Sequence, residues 1–406
     1  MDEVWTSGAG LWTIRAKPVH DAVGDTPGKF PAVPLSREDG VHQSVDERKF
    51  GSVPKKNTPP SPERALEPVT ALRRIGFLLE RTRAETYRVQ AFRSAASTIL
   101  GLSADELRAR AEAGTLCELP GIGAKSEAVI REALAGEVPA YLQRLEAEAA
   151  GPLADDGEAL RSALRGDLHS HSDWSDGGSP IEEMVFTAAE VGHEYLVLTD
   201  HSPRLKVANG LSAERLVRQL GVVDAINDHL GDGFRLLKGI EVDILDDGSL
   251  DQTDELLGRL EVVVCSVHSK LRMDAEAMTR RMVAAVRNPR TNVLGHCTGR
   301  LVTGGRGTRP QSQFDADAVF GACAEHGVAV EINSRPERAD PPDELIRQAL
   351  DAGCLFSIDS DAHAPGQLDF LQYGCARASE LGVPEERIVN TWPTDRLLAW
   401  AAGPGT

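Results

Sequence analysis

Residues 166–171 read Gly-Asp-Leu-His-Ser-His, and the fold follows from how often that arrangement recurs. A short β-rich run, Gly166-Asp167-Leu168, leads straight into His169 and His171. On an extended chain residues i and i+2 point to the same side, so both imidazoles enter one cavity. Further β-rich runs follow at 195–198, 236–242, 262–267, 292–294, 328–332 and 355–358. Helical stretches such as 180–191, 213–230 and 275–286 separate most of them. Seven strand–helix units predict an α/β fold with a parallel sheet, most economically closed into a barrel.

Each predicted strand runs into polar residues at or just beyond its C-terminal end. The first gives His169 and His171, with Asp176 in the loop behind; the second gives Asp200 and His201. Glu241, His268 and His296 follow from the next three, Asn333-Ser334-Arg335 from the sixth, and Asp361 and His363 from the seventh. Parallel barrels carry their sites at this rim. Imidazole combined with carboxylate suits Zn²⁺, Mn²⁺ or Fe²⁺, and this donor set is larger than one cation needs, so roughly two or three divalent ions are expected. His20, His42, His193, His229 and His326 have no such placement and read as structural or surface residues. Cations about 3.5–4 Å apart suit phosphate ester hydrolysis, because they activate water and hold phosphoryl oxygens together. Lys238, Lys270, Arg300 and Arg335 lie near the same rim and are candidate phosphate holders, the two arginines the better placed.

Ahead of the barrel, residues 1–60 are rich in Gly, Pro, Ser and charge without periodicity and read as a disordered tail. Residues 61–147 form a helical domain, residues 148–164 a linker, and residues 165–406 the barrel. Within the helical domain, Leu72, Ile75, Leu78 and Leu79, then Val89, Phe92, Ala96 and Ile99, recur at helical spacing. Between two of its helices stands Leu119-Pro120-Gly121-Ile122-Gly123-Ala124-Lys125. Gly121 and Gly123 permit a tight turn whose backbone N–H groups can meet a phosphate at the next helix start, with Lys125 directly behind. Such a hairpin grips a DNA backbone without reading sequence.

Bulk properties narrow the classes. A formal net charge of −18 argues against a protein that coats nucleic acid indiscriminately. Residues 61–150 carry 12 basic and 13 acidic side chains, so local DNA binding remains open there. No apolar run approaches the ~18–20 residues of a membrane span, and the first residues, Met1-Asp2-Glu3-Val4-Trp5, lack a signal peptide's basic start and apolar run. A cytoplasmic location without a membrane partner is expected. The six cysteines form no CxxC pair and read as reduced, buried thiols.

Asp167-Leu168-His169-Ser170-His171 with Ser175-Asp176-Gly177, and Leu198-Thr199-Asp200-His201-Ser202, resemble the PHP (polymerase and histidinol phosphatase) domain. Gly239 to Asp243, Ser266 to Ser269, Gly295-His296 and Ser360 to His363 continue the likeness in order. The resemblance implies a distorted seven-stranded barrel with a trinuclear metal centre. Its ligand positions fall on His169, His171, Asp176, His201, Glu241, His268, His296, Asp361 and His363. Gly192 to Tyr195, Gly295 to Arg300, Tyr87 to Arg93 and the Pro120-Gly121-Ile122-Gly123 hairpin are similar to bacterial family X DNA polymerases. The stretch between Leu145 and Arg165 is too short for palm and thumb domains, so no polymerase activity is expected. The position of that family's Schiff-base lysine is Val129, so no lyase is expected either.

The expectation is a phosphoesterase acting on DNA as a 3′–5′ exonuclease, 3′-phosphatase or abasic-site nuclease, with Asp200 or Asp243 orienting a ligand. The alternatives are a small-molecule phosphomonoesterase of histidinol-phosphatase type and a non-catalytic DNA-binding protein.

Overall fold

The computed structural model describes residues 66–304 and 307–403; the predicted tail, with His20 and His42, lies outside them. Five helices come first: α1 (Pro68–Arg81), α2 (Thr86–Leu100), α3 (Ala104–Ala113), α4 (Ala124–Leu134) and α5 (Ala140–Glu148). The apolar residues spaced by three and four along α1 and α2 turn into one core with Leu116, Ile130 and Leu142. The Ser103 hydroxyl accepts the Glu106 N–H to start α3, and a left-handed Gly114 ends it.

The seven strands are β1 (Gly166–Ser170), β2 (Tyr195–Leu198), β3 (Arg235–Asp243), β4 (Val262–Ser266), β5 (Val293–Leu294), β6 (Ala329–Asn333) and β7 (Leu355–Asp359). They pair in chain order, all parallel. Ser170 bridges to Ala362 beyond β7, and the His171 N–H donates to the Ala362 carbonyl at 2.8 Å, which brings the sheet nearly to closure. Helix α6 (Glu158–Ala163) precedes β1. The crossovers carry α7 (Ile181–Glu190), α8 (Ala213–Leu230), α9 (Asp254–Leu257), α10 (Ala275–Val286), α11 (Ala316–His326) and α12 (Asp343–Asp351); α13 (Leu371–Glu380) and α14 (Thr394–Ala401) follow β7.

Strands such as Tyr195-Leu196-Val197-Leu198 are apolar throughout because both of their faces are covered. Alternate residues sort to the two sides. Tyr195, Val197, Leu168, Leu237, Val264, Val293 and Ala329 fill the barrel interior, joined by Trp392 and Leu397. Leu196 and Leu198 pack outward with residues of α7 and α8. Five cysteines are buried and Cys117 is exposed, all of them free. Among the described residues no helix is long and apolar enough to cross a membrane.

The segment between α5 and β1 does more than span a gap. Arg81 donates to the carbonyls of Ala149 (3.1 Å) and Gly151 (2.8 Å), and the Leu153 N–H donates to Gln372 Oε1 at 2.7 Å. Helix α6 then sits directly before β1.

His193, read from sequence as structural or surface, is buried with neither ring nitrogen hydrogen-bonded. Burial, and then the Arg161 cation, push its pKa well below the ordinary value of 6.5. The unfolded chain therefore binds a proton that the folded chain refuses, and stability falls as pH drops below the unfolded value. The limiting slope is about 1.4 kcal/mol per pH unit. Urea unfolding at about pH 7.5 and about pH 5.5 checks this: His193→Phe is expected to lose roughly 1 kcal/mol less than wild type over that interval.

Candidate metal centre

The β1 register shifts between Asp167 and Ser170, where the strand turns from barrel wall to rim. From there His169 and His171 enter the cavity together, their ring centroids 5.1 Å apart. His201, just beyond β2, bridges in parallel to Glu241 on β3. His268 and His296 arrive from the loops after β4 and β5, and Asp361 and His363 from the loop after β7.

The Glu241 carboxylate is the hub. His201 Nδ1 stands 2.8 Å from it, His296 Nε2 2.8 Å, His268 Nε2 3.1 Å, His169 Nε2 3.3 Å and His171 Nε2 3.6 Å. Asp361 Oδ1 lies 3.4 Å from His171 Nε2. Asp176 Oδ1 lies 3.4 Å from both His201 Nε2 and His363 Nε2. The predicted donors thus gather into four overlapping groups able to hold a metal ion. His169, His171, Glu241 and Asp361 are buried, and the cluster opens past Asp176, 36 % exposed, and His363, 20 % exposed.

Whether cations fit can be judged from the donors themselves. Both Glu241 oxygens, His169 Nε2, and both ring nitrogens of His171, His268 and His296 are buried without a hydrogen-bond partner. Buried polar atoms without partners are costly and rare, and so many converging on one point match coordination of positive ions. Burial works against ionising Glu241, but His268, His201 and His169 outweigh it and hold its carboxyl well below the usual range. Burial likewise opposes ionisation of Asp361, which Arg338 and then His169 overcome. The imidazoles diverge. Burial, with His363 and His201, pushes His171 down to about 3, and burial with Arg338 takes His296 to about 4. His268 rises to about 9, because Glu241 and the Asp243 contact outweigh its burial.

Three further residues complete the site: Asn333, which sequence reading marked at the end of the sixth strand without a role, and Glu331 and Arg338, to which it gave none. Glu331 on β6 holds His169 Nδ1 at 2.6 Å, which fixes the tautomer and leaves Nε2 to face the cavity. Asn333 Nδ2 donates to Glu331 (3.2 Å) and Asp361 (3.1 Å). Arg338 Nε pairs with Asp361 at 3.0 Å. A lone carboxylate in the apolar run Val328-Ala329-Val330-Glu331-Ile332 was a readable signal; Arg338, in an irregular loop, left none. Of the two suggested orienting acids, Asp243 does lie beside His268 (3.5 Å). Asp200 instead accepts from Ser172, Ser175 and Gln219, and so shapes the loop that carries Asp176.

The four predicted phosphate-holding cations separate. Arg335 reaches the site, donating to the Asp361 carbonyl at 3.2 Å and standing 2.9 Å from His363 Nδ1. Arg300 does not: its guanidinium donates to the carbonyls of Arg338 and Ala339 and braces that loop. Lys238 does not either, because its place on β3 has opposite parity to Glu241 and its ammonium pairs with Asp224 of α8. Lys270 is held at the exposed rim by Asp246.

In the hairpin, Gly121 has φ +79°, and Thr98 Oγ1 donates to the Pro120 carbonyl at 2.8 Å to fix the turn. The Gly123 N–H is not free as expected, since it donates to Ser126 Oγ at 3.0 Å. A Cβ at Gly123 would meet nothing within 4 Å, so the surface before α4 is open. Lys125 is exposed there, and Val129 is buried in the helical core.

Comparison with known proteins agrees with this layout. A PHP domain matches residues 167–335 and a helix-hairpin-helix domain matches residues 65–138. The DNA polymerase/3′-5′ exonuclease PolX of Bacillus subtilis is 37% identical over 227 residues, 56% of this chain and 39% of that protein. A probable phosphatase of Thermoanaerobacter sp. is 26% identical over 55% of this chain and 89% of its own length. The crystal structure of a histidinol phosphate phosphatase from Lactococcus lactis, complexed with zinc, L-histidinol and phosphate, is 17% identical, with a TM-score of 0.40, over 54% of this chain and 94% of that one. This chain spans about two-fifths of the length of the Bacillus subtilis relative. The parallel barrel with these donors at its rim thus coincides with the PHP-domain match, and the five helices in front of it with the helix-hairpin-helix match.

Proposed function

We propose that this protein hydrolyses phosphate esters of DNA, as a 3′–5′ exonuclease, 3′-phosphatase or abasic-site nuclease, without adding nucleotides. The observation that carries the reading is the buried Glu241 hub, whose oxygens and surrounding imidazole nitrogens have no hydrogen-bond partners. The nine donors would hold roughly two or three divalent ions, of which Mn²⁺, Zn²⁺ and Fe²⁺ suit the donor chemistry. Such ions supply Lewis-acid charge and activate water. The chain's own part is to aim the donors: Glu331 orients His169, Asp243 stands behind His268, and Arg335, paired with Glu337 at 2.7 Å, stands 2.9 Å from His363 Nδ1.

Residues 61–147 favour DNA over a small metabolite, because a small-molecule phosphatase has no use for a hairpin of this kind. The open surface at Gly123, with Lys125 beside it, would grip a strand through its phosphates while the barrel, residues 165–406, cuts it. A cytoplasmic location fits that role. Histidinol phosphate or a related phosphomonoester is the second reading, favoured by the phosphatase named among the relatives. The test uses 3′-labelled DNA oligonucleotides with Mn²⁺, wild type beside His169→Ala/His171→Ala, and histidinol phosphate as control. Metal-dependent shortening or 3′-dephosphorylation, lost in the variant, is the expected result. Intact DNA with cleaved histidinol phosphate would transfer the function to the second reading.

A further inference from the structure

The helical domain and the barrel meet through a buried polar network, and that network ends on the metal-site loop. Glu80, in the last turn of α1, is 5 % exposed. Its Oε2 accepts the N–H of Gly366 at 2.7 Å, three residues after His363. Arg93 of α2 holds the same carboxylate from both sides, Nε to Oε1 at 2.9 Å and Nη2 to Oε2 at 2.7 Å. Arg93 also reaches Glu183 in the first turn of α7 at 3.3 Å, and Arg73 of α1 donates to Glu183 at 2.8 Å. Arg81 pairs with Asp369 at 2.6 Å, at the far end of the same loop.

The fit is close as well as polar. A side chain at Gly366 would collide with the Phe77 carbonyl and Glu80 Cβ, so the loop lies directly against the α1 backbone. From Gly366 the contact passes on. The His363 N–H donates to Gln367 Oε1 at 2.8 Å, and the Gly178 N–H donates to the His363 carbonyl at 2.7 Å. Gly178 stands two residues beyond Asp176. His363 and Asp176 are the two donors at the open side of the site.

We propose that Glu80 is a positioning residue of the metal centre: the helical domain seats the loop that carries His363, in addition to any grip on DNA. This rests on the reading of the nine donors as metal ligands. Without Glu80 the Gly366 N–H loses its acceptor and Arg93 keeps only Glu183, which frees the loop at the more exposed side of the cavity.

The test compares full-length wild type, Glu80→Ala and Glu80→Gln by Mn²⁺ titration, by hydrolysis of bis(p-nitrophenyl) phosphate, and by DNA affinity in EDTA. Removing a group that orients a ligand typically costs ~10- to 100-fold in metal affinity or activity, and Glu80→Ala is expected to lose that much for its weakest Mn²⁺ and for the small substrate. Glu80→Gln keeps an acceptor for Gly366 and is expected to lose less. A folded Glu80→Ala protein with wild-type Mn²⁺ affinity and wild-type hydrolysis of the small substrate, weakened only in melting temperature or DNA affinity, would overturn the proposal. Should Glu80→Ala fail to fold, Gly366→Ala disturbs the same contact from the barrel side and is read in the same way. If wild type binds Mn²⁺ yet hydrolyses no phosphoester, the phosphoesterase reading fails, while the Mn²⁺ affinities still decide the role of Glu80.

Discussion

Glu241→Gln is expected to abolish hydrolysis while leaving the fold intact. The substitution keeps the size and shape of the side chain and removes its charge from the point where five imidazoles converge within 3.6 Å. An amide presents N–H donors to part of that ring and cannot bridge cations. The Lewis-acid contribution at risk is several kcal/mol, which corresponds to a rate loss on the order of 10³-fold. Steady-state rates on a labelled oligonucleotide with saturating Mn²⁺, together with metal content by mass spectrometry, check the outcome. An unchanged far-ultraviolet spectrum separates loss of metal from loss of fold. A Glu241→Gln enzyme of near wild-type rate would show that the hub is not where the chemistry occurs.

Removing divalent metal is expected to destabilise the barrel as well as silence it. His171, His268 and His296 bury two ring nitrogens each without partners, and Glu241 buries a carboxylate that accepts no hydrogen bond. A ligand bound only by the folded state adds RT ln(1 + [L]/Kd), about 2.7 kcal/mol at a hundredfold excess over Kd for each site. For a domain of this size that is a rise of roughly 5–10 °C in melting temperature. Differential scanning fluorimetry in EDTA, then with Mn²⁺ restored, measures it. The His169→Ala/His171→Ala protein is expected to lose most of the rise, because those two residues belong to three of the four donor groups. An equal rise in the double variant would place the stabilising metal elsewhere.

Strands such as β2 and β4 were legible because each is a short, largely apolar run with a donor shortly beyond its end. β2 spans Tyr195–Leu198 and α8 spans Ala213–Leu230, the residues that periodicity alone marks out. The donors were legible for the same reason: side chains at strand ends inherit the strand's alternation, so parity alone aims His169 and His171 inward. Where side chains are long the sequence was mute. Lys238 and Arg300 sit near donors in the chain, yet their stems carry the charges to Asp224 and to the Arg338–Ala339 carbonyls. Arg338 shows the converse, reaching Asp361 from a loop without pattern. Glu331 was legible too, since an acid inside a buried strand demands a partner. The docking of α1 on the loop after β7 was not, because contacts such as Glu80 to Gly366 join residues 286 apart.

Metal ions held by the nine donors would form one multinuclear centre around Glu241. Anomalous diffraction from crystals grown with Mn²⁺, recorded at the manganese edge, would locate them. Two or three peaks are expected inside the cluster, about 3.5–4 Å apart, with Glu241 beside more than one of them. No peak at Glu241, or a single ion bound outside the ring of His169, His201, His268 and His296, would contradict this arrangement.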